Sequence, residues 1–102
     1  MGLNIEIHDE RGKVLELVTD ENNLVMRIAG KTSFEVSPML ASLDPYGNTI
    51  FNRIQIPQFL SELSARRKES TADDEITLAN KVVRLAETVC DSVHLYLAFI
   101  GD

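Results

Sequence analysis

Between Thr71 and Val93 the apolar positions fall at Ile76, Ala79, Val82/Val83, Ala86, Val89/Cys90 and Val93, the three-and-four spacing of a helix with one apolar flank. Leu78 and Leu85 widen that flank. A stripe so wide needs more than one neighbour to cover it. The spacing therefore predicts a long helix packed on both a sheet and another helix. Thr71 and Asp74 have the spacing of a capping box with Asp in place of the usual Glu. Asp73, Asp74 and Glu75 fall where the positive end of the helix dipole lies.

The chain closes on Leu95-Tyr96-Leu97-Ala98-Phe99-Ile100, apolar on both faces, which is the pattern of a strand inside a sheet. At the other end, Leu3-Asn4-Ile5-Glu6-Ile7-His8 alternates apolar and polar, as a strand with one buried face does. Asp9 to Gly12 supplies a turn in which Gly12 is free to take a positive φ. Val14 to Val18 then reads as the returning strand of a hairpin.

Thr19 and Asp20 can accept hydrogen bonds at a helix start. Leu24, Val25 and Ile28 share one helical face, and Gly30 is placed to end it. Lys31 to Ser37 reads as loop or short edge strand. Met39–Leu43 and Thr49–Ile54 flank Asp44-Pro45-Tyr46-Gly47-Asn48, a close match to a type I turn, and predict a β-hairpin with Tyr46 near its tip. Pro57 suits the first turn of a helix, in which Ile56, Phe59, Leu60 and Leu63 form the packed stripe. Arg66-Arg67-Lys68 falls at its negative end. The expected fold is α+β: a mostly antiparallel sheet of four or five strands, two C-terminal helices packed on one face, and the C-terminal strand inside the sheet. All 102 residues read as one domain, without repeat or linker.

The functions this excludes follow from charge and from missing motifs. Ten basic against sixteen acidic residues give a net charge of −6, and the one basic cluster, residues 66–68, is followed at once by acids. Nucleic acid is not expected as a partner. No apolar run reaches the length of a membrane span, the charged N-terminal stretch does not read as a signal peptide, and a cytoplasmic location is expected. A lone cysteine, Cys90, allows no internal disulfide. Cys90 and His94 stand four apart, but a metal needs more ligands, and a thiol near the negative end of a helix resists ionisation. They read as a core cysteine and a helix-ending histidine. The five glycines are scattered, with no phosphate loop, and no Gly-x-Ser-x-Gly elbow is present. No cofactor, metal or catalytic residue is expected.

The polar residues around the turn, Asp44, Tyr46, Asn48, Asn52, Arg53 and Gln55, form the candidate partner-binding set. Tyr and Arg are residue types that anchor interfaces. The structural reading of the same residues is that Asp44 caps the turn, Asn52 bonds loop backbone, and Arg53 pairs with a carboxylate.

The segments Asp-Pro-Tyr-Gly-Asn-Thr-Ile-Phe-Asn-Arg-Ile-Gln (44–55) and Tyr-Leu-Ala-Phe-Ile-Gly-Asp (96–102) resemble those of small uncharacterised bacterial proteins of similar length. The resemblance implies a bacterial, stand-alone, cytoplasmic protein and carries over no site residue. Three functions are then expected, in order: a protein-interaction module, such as an immunity or antitoxin-like partner of a basic protein; a small enzyme or small-molecule binder with a pocket between sheet and helices; and a structural homo-oligomer built through the N-terminal hairpin edge or the helix stripe.

Overall fold

A computed structural model describes residues 2–101. Strands β1 (Leu3–His8) and β2 (Val14–Asp20) form the N-terminal hairpin. Helices α1 (Leu24–Ala29) and α2 (Pro38–Ala41) follow, then β3 (Asn48–Asn52), α3 (Ile56–Glu69), α4 (Asp73–Cys90) and β4 (Tyr96–Ile100). The sheet order is β2-β1-β4-β3, every pair antiparallel. The α+β class, the four-stranded antiparallel sheet and the interior position of the last strand are as the sequence predicts.

The alternation in β1 sorts its side chains as expected. Leu3, Ile5 and Ile7 are buried, and they share a core with Leu97 and Phe99 of β4, Phe51 of β3 and the inner flanks of α1, α3 and α4. Phe51, Phe59 and Phe99 meet with ring centroids 5.2–5.9 Å apart, fastening β3, β4 and α3 together. Leu78, Ala79, Val82, Leu85, Ala86 and Val89 make the buried flank of α4.

Three buried carboxylates organise the helix ends. Asp20 accepts the amides of Leu24 and Val25 at the start of α1, both at 2.9 Å. Glu62 reaches from α3 to the start of α2, where Oε1 accepts the amides of Met39 and Leu40, both at 3.0 Å. Glu75, in the first turn of α4, receives Lys31 Nζ at 2.6 Å and the Ser70 hydroxyl at 3.2 Å. Each charge is held by donors that its burial requires.

Several expectations need correction. Met39–Leu43 is not a strand: Pro38 opens a one-turn helix there, and the Glu62 carboxylate that satisfies its free amides comes from a distant helix. The type I turn forms, with the Gly47 amide 3.4 Å from Asp44 O, but it leads from α2 into β3 and no hairpin results. β3 stops at Asn52 instead of Ile54, because the Asn52 side chain turns the chain (below). Helix α4 starts at Asp73 with no side-chain cap from Thr71. Asp74 Oδ1 accepts the Glu75 amide instead, at 2.8 Å. The helix ends at Cys90, leaving Val93 exposed. The amides of Asp91 and Ser92 close the last turn on Thr88 O and Val89 O.

Candidate functional site

Helices cover one face of the sheet, and the alternate residues point to the other. The ladder registers arrange that second face in rows. Asn4 of β1 stands opposite Ile100 of β4, which stands opposite Asn48 of β3. The middle row runs Leu17, Glu6, Ala98, Ile50, and the next runs Val14, His8, Tyr96, Asn52. Leu17 and Ile50 are each 52% exposed, and between them Ala98 is buried outside the main core cluster. Glu6 and His8, the polar residues at the centre, hydrogen-bond each other and are mostly covered by their neighbours. The exposed apolar side chains of this face therefore stand on its two outer strands, Leu17 on β2 and Ile50 on β3, and between them lie the paired Glu6 and His8, the buried Ala98 and the half-buried Tyr96 and Ile100.

At one end the face opens into a hollow of about 250 Å³ lined by His8, Asp9, Glu10, Gly12, Ile50 and Tyr96. Its wall is the β1–β2 turn, where Gly12 takes φ 82 and Asp9 Oδ1 accepts the amides of Arg11 and Lys13 at 2.9 Å. The hydrogen bond from the Lys13 amide, with that from Arg11 and the charges of both side chains, holds the Asp9 carboxyl below its ordinary range. Glu10 Oε1 meets His94 Nδ1 beside this turn.

The structure divides the candidate residues of the 44–55 segment. Asp44 Oδ1 accepts the Tyr46 amide at 2.8 Å. Asn52 Oδ1 accepts the amides of Ile54 and Gln55, at 3.0 and 3.1 Å, while Gln55 Oε1 accepts the Asn52 amide at 2.9 Å. Asp44, Asn52 and Gln55 thus hold local turns. Tyr46 projects 80% exposed, and Arg53 is exposed and makes no ion pair among the described residues. Asn48 and Asn52 rim the open sheet face beside Ile50. The Tyr46 turn is fastened to the far end of that face by the Gly101 amide on Gly47 O at 2.8 Å. A Cβ on Gly101 would stand 2.4 Å from Pro45 O, so the close approach requires glycine. Sequence reasoning missed Leu17, Tyr96 and Ile100 as surface residues: which side of an apolar strand stays open depends on where the helices dock.

The polar residues of the 44–55 segment do not converge on a pocket between sheet and helices. Asp44 and Asn52 stand at opposite ends of β3, and Arg53 faces solvent. Cys90 and His94 share no helical face, since α4 ends at Cys90. A cleft of about 380 Å³ does lie between Thr19–Asn22 and the start of α4, with Asp73, Asp74 and Lys81 on its wall. Asp20 is committed there to capping α1 and Asp74 to the Glu75 amide. Among the described residues no group of three His, Cys, Asp or Glu side chains is placed to hold a metal, and no helix is long and apolar enough to cross a membrane. Comparison with protein-family models, curated proteins and solved structures finds no match to this chain.

Proposed function

We propose that the protein is a protein-interaction module whose working surface is the open face of the sheet. The observation that carries this reading is the set of apolar side chains that this face leaves open, Leu17 on β2 and Ile50 on β3, each 52% exposed, with the half-buried Tyr96 and Ile100 between them. Four strands at roughly 4.8 Å spacing make a face about 15 Å across, which suits the apolar flank of one partner helix. Apolar side chains with asparagines among them at the rim (Asn4, Asn48, Asn52) suit an interface. Tyr46 and Ile54, 80% and 81% exposed in the turns flanking β3, extend the contact at either end.

The net charge of −6 favours a basic partner, here a helix with basic flanks. That is the relation of an immunity or antitoxin-like protein to the basic protein it masks. Charge then speeds encounter, and the apolar side chains set the lifetime of the complex. Site-specific photo-crosslinking tests this. A crosslinker at Ile50 should capture one basic protein that a crosslinker at Lys81, on the helical side, does not. Capture should weaken with salt and vanish with Leu17→Asp. Equal capture from both positions, or capture indifferent to Leu17→Asp, would refute the reading.

A further inference from the structure

Strand β2 is one edge of the sheet, so its outer N–H and C=O groups have no strand beside them among the described residues. The other edge, β3, has five residues and ends in turns locked by Asp44 and Asn52. β2 has seven, and Val14, Leu15 and Leu17 are 45%, 47% and 52% exposed. An open backbone edge lined with bare apolar side chains is complemented by another extended strand.

We propose that this strand is β2 of a second copy, paired antiparallel about a two-fold axis at Leu17, so that two sheets join into one. The sequence of β2 selects both the partner and the register. A two-fold axis perpendicular to the sheet must set one residue opposite its own copy. Centred on Glu16, the pairing opposes two glutamates. Centred on Val18, it opposes Glu16 and Asp20. Like charges directly opposite are destabilising. Centred on Leu17, it sets leucine on leucine, Leu15 across from Thr19, Glu16 across from Val18 and Val14 across from Asp20. That register has no like-charge pair, and it brings the exposed Lys13 and Glu21, just beyond the two ends of the strand, towards each other. The bulge in the β1–β2 ladder falls between Ile7 and His8, opposite Val14–Glu16, and leaves the ladder around Leu17 regular. The contact is made through the edge of β2 and shares Leu17 with the helix-binding face, but it leaves Ile50, Tyr96 and Ile100 open, so a substitution at Ile50 separates the two readings.

Sedimentation equilibrium over a concentration series should show self-association from a single chain of 11.4 kDa to twice that mass. Leu17→Lys should raise the dissociation constant by about ten-fold or more with an unchanged circular dichroism spectrum, while Ile50→Lys leaves it unaltered. Lys13→Glu should weaken the dimer, and adding Glu21→Lys should restore it. In a Cys90→Ala background, Leu17→Cys should oxidise to a covalent dimer, because residue 17 faces its own copy, and Leu15→Cys should not. A monomer throughout the series, a dimer broken by Ile50→Lys but not by Leu17→Lys, or equal crosslinking through positions 15 and 17 would overturn the proposal.

Discussion

Glu62, on α3, accepts the Leu40 amide of α2 at 3.0 Å across 22 residues of sequence. The same oxygen takes the Met39 amide, and Oε2 takes the Gln58 side chain at 3.0 Å. A one-turn helix has almost no hydrogen bonds of its own, so this carboxylate supplies much of what holds α2 in place. Glu62→Ala would leave two amides unpaired, one of them buried, and should cost about 2–3 kcal/mol of stability. Glu62→Gln keeps an acceptor oxygen and should cost less. Urea unfolding with an unchanged slope is the measurement.

Asp20 plays the corresponding part for α1 from the end of β2. Asp20→Ala removes acceptors from both the Leu24 and Val25 amides and should cost about 1–2 kcal/mol. Asp20→Asn retains one oxygen and should fall between Ala and the parent. Hydrogen exchange at those two amides should accelerate in Asp20→Ala before exchange in β1 does.

Glu75 gives the protein an acid-sensitive joint. The hydrogen bond from Lys31 chiefly, aided by the Lys31 charge, Ser70 and Arg27 and opposed by burial, holds its carboxyl below the ordinary value of 4.5. A pKa lowered by folding means the unfolded chain binds the proton more readily. The stability it confers is complete above the unfolded value near 4.5 and is lost as pH falls through the lower folded value. Lys31→Met should shift the acid-unfolding midpoint upward. Glu75→Gln should flatten the stability–pH curve below pH 4.5. Circular dichroism melts across that range check both.

Asp44 and Tyr46 separate holding a turn from offering a contact. Asp44→Ala removes the acceptor of the Tyr46 amide and should lower stability by about 1 kcal/mol. Tyr46→Ala removes an exposed ring and should leave stability within about 0.5 kcal/mol. If the turn contributes to the interface, partner affinity should fall in Tyr46→Ala despite its unchanged melting temperature.

The elements that were legible in the sequence are those whose signal is local. The alternation of Leu3–His8, the stripe of α4 and the two-sided apolarity of Leu97–Phe99 each describe a burial pattern within one stretch of chain. Met39–Leu43 was not legible, since its helical state depends on a carboxylate 22 residues away from Leu40. The end of α4 was overestimated because Val93 fits the stripe, whereas Asp91 and Ser92 close the helix through backbone geometry. Around the candidate site, the sequence singles out Tyr46, Asn48 and Asn52 as polar residues on or just beyond a turn. Their neighbours Leu17, Tyr96 and Ile100 are not singled out, because the register that lines them up belongs to the assembled sheet.

The central claim, that the open sheet face is covered by a partner when the protein works, is tested most directly by hydroxyl-radical footprinting in living source cells against the purified protein. Tyr96, Ile100 and Ile50 should be labelled less in cells, while Val93, exposed beyond the end of α4, is labelled alike in both. Equal labelling of Tyr96, Ile100 and Ile50 in the two settings would mean that the face stays bare and would contradict the account.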